Sequence, residues 1–305
     1  MSTGASIGAE NVRSGYVNSD GVRLYYEIVG HGEPLIMLNG GPGFPHDYLV
    51  ETVELAPYAR LVYFDQRGTG KSDKVDPSLY TVEANVQDVE NLRRDLNLGR
   101  CGIFGHSWGG MLAQEYALAY PQRVSKLILA DTFSSREDID ATLSRMRAGV
   151  PEETRAIYDK YEREGLYKHG DQYPEEYQAA LDAAYEPIFI SVPPPDYLQD
   201  SFGKIAYDVY RAMWGEESEF RLTGTLQHFD AAPRLHEIRV PTLVIVGASD
   251  MPTVDMARKT AQLIPDSRLE IFEQSRHFPF IEEKEKFLQV IRDFLLADTS
   301  RGVSE

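Results

Sequence analysis

Residues 102–109 read Gly-Ile-Phe-Gly-His-Ser-Trp-Gly, and residues 111–119 continue as Met-Leu-Ala-Gln-Glu-Tyr-Ala-Leu-Ala. The first stretch is a short apolar run, as expected of a buried strand, and the second is a helix former. Between them Gly105-His106-Ser107-Trp108-Gly109 matches G-x-S-x-G. In that pattern the glycines let a sharp strand-to-helix turn approach its neighbours and lift the serine hydroxyl into the open. The motif by itself occurs by chance in loops, but the strand before it and the helix after it supply the context the chemistry requires. Ser107 is therefore the candidate nucleophile.

Working outward, short β-rich runs alternate with helix-period segments. Strands are expected at Val22–Val29, Leu35–Leu38, Leu61–Phe64 and Val124–Ala130, with a short helix around Leu49–Leu55. Val82, Val86, Val89, Leu92 and Leu96 fall at spacings of three and four, one face of an amphipathic helix. The alternation stops from about Ser134 to Leu222, where the chain is charged, helical in pattern and broken by Pro193-Pro194-Pro195. It resumes with Thr242–Val246, a helix over Val254–Leu263, Arg268–Phe272 and a last helix with Phe287, Val290, Ile291, Phe294 and Leu295 inward. The pattern predicts a mostly parallel sheet with helices on both faces, residues 1–133 and 223–305 forming one core and residues 134–222 an inserted helical cap. Nine of the 18 tyrosines lie in the insertion, where packing between small helices explains them as well as a pocket lining does. No internal repeat is seen, and only the termini read as flexible.

Composition narrows the function classes. A length of 305 residues suffices for a sizeable core without disulfides or metals. The formal charge of -17 repels phosphate backbones and anionic lipid, which argues against nucleic-acid and membrane partners. No apolar run approaches spanning length. The one cysteine, Cys101, precludes an internal disulfide and cysteine-ligated zinc, and its place before an apolar strand predicts a buried small residue. Nothing points to a metal or organic cofactor. The N-terminal MSTGASIGAENVRSGY has no basic stretch and no apolar signal core, so a cytoplasmic protein is expected.

A serine hydroxyl needs a base to take its proton, and that base needs a carboxylate to orient it. Asp250 follows the strand Val244-Ile245-Val246, and His277 follows the next strand end, giving the chain order Ser107, Asp250, His277. His31, His169, His228 and His236 lack such a context. His46 and His106 sit where the backbone, rather than the imidazole, is expected to matter. The developing oxyanion needs fixed donors. One is expected from the Trp108 N–H and the other from Asn39-Gly40-Gly41-Pro42-Gly43, with Gly41 N–H the first choice. A phosphate-binding reading of that loop fails, because no P-loop lysine follows.

These residues resemble the proline iminopeptidase family of the α/β-hydrolase fold over nearly the whole chain. The resemblance rests on Asn39–Gly43 with His46-Asp47-Tyr48, on Asp65-Gln66-Arg67-Gly68-Thr69-Gly70-Lys71-Ser72, on Gly105–Gly110, and on Glu219-Phe220 through Gly224-Thr225 into the Asp250 strand. It implies a serine exopeptidase that releases an N-terminal residue, often proline, from short peptides beneath a cap. Members hold the free α-amino group with acidic side chains, one at the end of the cap, which Glu219 matches, and one directly after the catalytic aspartate. Here Met251 takes the second place, so Glu219, Gly40 and Met251 are expected to face the substrate. Asn39 stands where the family often has histidine, a change the backbone donors should survive. Residues 65–72 are expected to be structural, with Arg67 bracing loops, and Glu216 and Glu217 to be surface charges, either of which is available to replace the missing anchor.

Losing one anchor weakens selection for a free amino terminus, since a buried ammonium without carboxylate partners is costly. A second reading therefore keeps the triad in an esterase, amidase or lactonase with no need for a free amine. A third, a silent binding protein of the same fold, is opposed by the intact triad. Epoxide hydrolase and dehalogenase chemistry need a carboxylate at the position of Ser107. Oligomeric state is not specified by the sequence.

Overall fold

The computed structural model describes residues 11–168 and 170–297; the outermost termini, and His169, lie outside the described residues. The chain opens with β1 (Arg13–Ser19) and β2 (Val22–Val29), an antiparallel hairpin. Its turn places Asp20 and Gly21 at φ of 51° and 93°, the geometry for which Asp-Gly is suited. β3 (Pro34–Leu38), a 3-10 helix (His46–Leu55), β4 (Arg60–Phe64), α1 (Val82–Asp95), β5 (Cys101–His106), α2 (Trp108–Ala119) and β6 (Val124–Ala130) follow. Five helices come next: α3 (Arg136–Gly149), α4 (Glu152–Glu164), α5 (Glu175–Phe189), α6 (Asp196–Phe202) and α7 (Tyr207–Met213). The chain then returns to the sheet through β7 (Thr242–Gly247), α8 (Val254–Leu263), β8 (Ser267–Phe272), α9 (Pro279–Glu282) and α10 (Lys284–Leu296).

The eight strands form one sheet in the order β1-β2-β4-β3-β5-β6-β7-β8. β2 pairs antiparallel with β1 and β4, and every later pairing is parallel. The central strands β3, β5 and β7 are buried throughout, as parallel strands covered on both faces must be. On one face α1 and α2 pack Val89, Leu92, Leu112 and Tyr116 against the sheet. On the other, α10 and the 3-10 helix bring Phe287, Ile291 and Leu49 against Met37, Phe104 and Ile245. β1 has no counterpart among the strands expected from sequence, because only Val17 and Ser19 point inward on this edge strand and its apolar signal is weak.

All catalytic candidates fall where parallel strands end, the edge at which open α/β sheets bind ligands. Ser107 follows β5, Asp250 follows β7 and His277 follows β8. The segment that carries α3–α7 bonds to three of the loops at this edge. Ala206 N–H donates to Gly43 O (2.9 Å), Arg145 Nη2 to Met251 O (2.9 Å), and His277 N–H to Phe189 O (3.1 Å). Lys204 and Ser201 both donate to the Asp47 carboxylate beside the early loop. Among the described residues no helix is long and apolar enough to cross a membrane.

Candidate active site

Ser107 caps the N-terminus of α2 with φ 56° and ψ -123°, a strained conformation for a residue with a side chain. Packing enforces the turn. A Cβ at Gly105 would lie 2.2 Å from Gly109 O, and one at Gly109 would lie 2.1 Å from Leu38 O, so neither position admits another residue without backbone movement. Ser107 N–H donates to Ala130 O (2.9 Å) and Thr132 Oγ1 donates to Ser107 O (2.7 Å). The serine is partly exposed to a cavity of about 340 Å³ that His277, Gly41 and Glu219 also line.

His277 Nδ1 lies 2.7 Å from Asp250 Oδ1, both side chains being buried. A carboxylate only accepts, so Nδ1 carries the hydrogen and Nε2 is left bare as a base. Burial pushes the imidazolium below its ordinary range, with Glu282 partly opposing, and this keeps the ring neutral. The loop is fixed by the Glu282 carboxylate, which accepts from Arg276 N–H (3.0 Å) and Phe278 N–H (2.9 Å) on either side of the histidine. Phe189, at the end of α5, stacks on the ring at 5.6 Å between centroids.

Behind Asp250 stands a second carboxyl that the sequence did not single out. Asp131, at φ 53° directly after β6, accepts from Gly247 N–H (3.0 Å) and interacts electrostatically with Asp250. Their Oδ2 atoms are buried and have no hydrogen-bond partner. Burial pushes both carboxyls well above the ordinary range. Asp250 receives N–H bonds from Met251 and His277 against the one that Asp131 receives, which favours the charged form at Asp250.

The early loop lies beside the serine. Gly41 has φ of 118°, and a Cβ there would meet Gly43 N at 2.7 Å, so the position requires glycine. Gly40 lines the cavity, but its N–H is taken by Tyr48 Oη (2.6 Å), which removes it as a substrate donor. No acceptor is seen for Gly41 N–H among the described residues, and Trp108 N–H, at the first position of α2, has none within the helix. Gln66 ties these two donors together: its Nε2 donates to Asn39 O (2.9 Å) and its Oε1 accepts from Trp108 Nε1 (2.7 Å). Arg67 braces α1, donating to Asp88 at 2.7 Å and 2.8 Å and to the carbonyls of Leu79 and Ala84.

The expectation that His46 and His106 contribute only backbone is corrected. His46 Nδ1 lies 2.7 Å from Asp65 Oδ1, and His106 bridges Tyr48 and the His277 carbonyl. Both rings are buried; His46 Nε2 makes no hydrogen bond but lies 3.7 Å from Glu27 Oε2.

Glu219 follows helices α3–α7, is buried, and lines the cavity. Three hydroxyls donate to it: Tyr173 to Oε2 (2.6 Å), and Tyr185 (2.5 Å) and Tyr210 (2.6 Å) to Oε1. Burial raises its pKa and the three tyrosines pull it back. Trp214 Nε1 donates to the Glu219 carbonyl (2.9 Å) and stacks on Tyr210. Met251 lines the same cavity with Phe133, Leu143 and Phe278. Glu216 and Glu217 face Arg211 and Arg221 as exposed ion pairs and do not line the cavity; Asp182 on α5 does. Cys101 is buried, and burial pushes its thiol up to about 12, so it is no nucleophile. Among the described residues no cluster of His, Cys, Asp and Glu suits a metal ion.

Strand order, elbow and the Asp250–His277 pair define a serine hydrolase of the α/β-hydrolase fold, and the α/β-hydrolase family model matches residues 33–284. A proline iminopeptidase of Saccharolobus solfataricus is 33% identical over 292 residues, covering 93% of each chain. With relatives of this kind along its length, the chain belongs to the proline iminopeptidase family. Among solved structures, VinJ is similar with a TM-score of 0.84 and 32% identity over 93% of this chain and 98% of that one. The proline iminopeptidase of Mycobacterium smegmatis has a TM-score of 0.80 and 28% identity, covering 93% of this chain and 97% of that one.

Proposed function

We propose that the protein is an aminopeptidase that releases an N-terminal residue, with proline favoured, from short peptides or amino-acid amides through an acyl-enzyme. Ser107 Oγ attacks the carbonyl carbon while His277 Nε2 takes its proton, and charged Asp250 holds the imidazolium that forms. The N–H groups of Gly41 and Trp108 receive the oxyanion. His277 then protonates the departing amine, and water repeats the sequence to free the amino acid. Residues 134–222 form the cap, and Glu219 accepts a hydrogen bond from the substrate's ammonium.

The observation that carries this reading is the Glu219 carboxylate, buried, without a cation beside it among the described residues, and lining the same cavity as Ser107 and His277. A buried carboxylate costs several kcal/mol unless compensated, and three hydroxyl donors supply part of that. The ammonium of a bound substrate supplies the missing countercharge. The activity of the relatives supports proline as the favoured residue.

The test is a panel of aminoacyl chromogenic amides, their N-acetylated counterparts and simple esters. Turnover of prolyl amide with at least a hundredfold loss on N-acetylation is expected. Equal turnover of free and blocked substrates would refute amine recognition and favour the esterase or amidase reading, in which Met251 marks a site with no need for an ammonium.

A further inference from the structure

The catalytic reading leaves two buried side chains without a task, Tyr48 and His106, and they stand between the early loop and His277. Gly40 N–H donates to Tyr48 Oη at 2.6 Å, Tyr48 Oη lies 2.8 Å from His106 Nδ1, and His106 Nε2 lies 2.8 Å from His277 O. Tyr48 is 3% exposed and His106 is 1% exposed.

The direction of each bond follows from chemistry. A main-chain carbonyl can only accept, so His106 Nε2 carries hydrogen. Burial, with His277 nearby, holds the His106 ring well below its ordinary pKa, so it is neutral and Nδ1 is bare. Tyr48 must then donate its hydroxyl hydrogen to Nδ1, and its oxygen accepts from Gly40. The chain runs one way, from Gly40 N–H through Tyr48 and His106 to His277 O, and every hydrogen in it has an acceptor.

Its ends are consequential. Gly40 precedes the oxyanion donor Gly41, and a Cβ at Gly40 would lie 3.0 Å from the Ser107 Cβ. His277 O belongs to the base itself. We propose that Tyr48 and His106 are positioning residues for acyl transfer, their directed hydrogen-bond chain setting the oxyanion loop at a fixed separation from the main chain of His277. The inference rests on the triad reading given above. Neither side chain transfers a proton in the reaction, because displacing any hydrogen in the chain would leave a buried group unpaired.

The test combines kinetics with a direct view of the tautomer. Tyr48→Phe keeps the ring packing against Phe44, Phe278 and Phe280 and removes only the hydroxyl. Its kcat on prolyl amide should fall 10- to 100-fold with KM changed less than threefold, the scale expected of a displaced oxyanion donor. A boronate or aldehyde analogue should weaken by a similar factor. Wild-type kcat in a folded Tyr48→Phe protein overturns the inference, as does a loss that falls on KM alone. In the wild type, long-range proton–nitrogen NMR of histidine-labelled protein should show His106 as the Nε2–H tautomer from pH 5 to 9, a readout independent of any variant folding. An Nδ1–H tautomer, or protonation within that range, overturns it. Ser107→Ala serves as the control: if that variant stays active the triad reading fails, whereas loss there with wild-type rates in Tyr48→Phe condemns only the positioning role.

Discussion

Glu219→Gln is the perturbation that bears hardest on substrate choice. The carboxylate offers roughly four lone-pair sites. Tyr185 and Tyr210 occupy two on Oε1, and Tyr173 occupies one on Oε2, so one acceptor site remains for a substrate N–H. Glutamine is isosteric and keeps the bonds to one oxygen; the Tyr173 hydroxyl turns to accept from the new amide. What disappears is the charge. Removing one partner of a buried ion pair costs about 3–5 kcal/mol, and the tyrosine dipoles and the opening to solvent return part of it, leaving about 2–3 kcal/mol. At 1.36 kcal/mol per decade, kcat/KM for prolyl 4-nitroanilide should drop about 30- to 150-fold. The rate at which a neutral fluorophosphonate labels Ser107 should not change, since that reagent carries no amine. Acid should mimic the substitution, because burial raises the Glu219 pKa and protonation erases the anchor above the ordinary 4.5. A loss under threefold, or an equal loss in labelling rate, refutes the role assigned to Glu219.

Ser107→Ala should lower kcat on every amide and ester by at least 10⁴-fold with an unchanged unfolding curve, because a nucleophile acting with its base is not lost in part; residual wild-type turnover contradicts the assignment. The fluorophosphonate labelling rate should stay flat as pH falls through 6.5, the ordinary histidine value below which burial holds His277, and an inflection above pH 7 would show the base to be exposed or differently paired. For His46, burial pulls the pKa down, but Asp65 and then Glu27 outweigh it and raise it from 6.5 to about 9. A raised folded-state value means stabilisation fully present below pH 6.5 and lost as pH rises to about 9. Urea unfolding of wild type against His46→Gln should thus show a stability difference shrinking by about 3 kcal/mol across that window, and a constant difference refutes the ion pair.

The fold was legible because its signals are local. β3, β5 and β7 are buried over their whole lengths and read as apolar runs, and α1 shows its buried face at helical spacing. Ser107, Asp250 and His277 stand out as candidates in the sequence because each lies within five residues of a strand end, where chain order brings it to the same edge. The residues that escaped are those whose role exists only in three dimensions. Tyr48 and His106 are 58 residues apart, and Asp131 lies 116 residues from the Gly247 N–H it accepts. Gln66 sat inside a motif read as structural, and only its two bonds, to Asn39 O and Trp108 Nε1, tie it to the oxyanion donors.

The tyrosines of the helical insertion show how a compositional excess becomes chemistry. Counted along the chain they admit packing as readily as recognition, and some do pack: Tyr158 stacks edge-on against Tyr177 and donates to the Ala180 carbonyl. Tyr173, Tyr185 and Tyr210 come from three separate stretches and converge on one carboxylate. Their hydroxyls are neutral donors, so they hold Glu219 in place without cancelling its charge, which an arginine or lysine at the same spot would do. Glu219 is the one buried carboxylate that lines the cavity, Asp182 being exposed, and a neutral cage leaves its charge available to the substrate. With a single buried carboxylate in the cavity, selectivity for an ammonium depends on no protein cation reaching Glu219. Introducing one, as in Tyr210→Lys, should abolish the preference for free over N-acetylated substrates while leaving Ser107 reactive toward fluorophosphonate. Retained preference would mean that the amine is held elsewhere in the cavity, with Asp182 the first residue to examine.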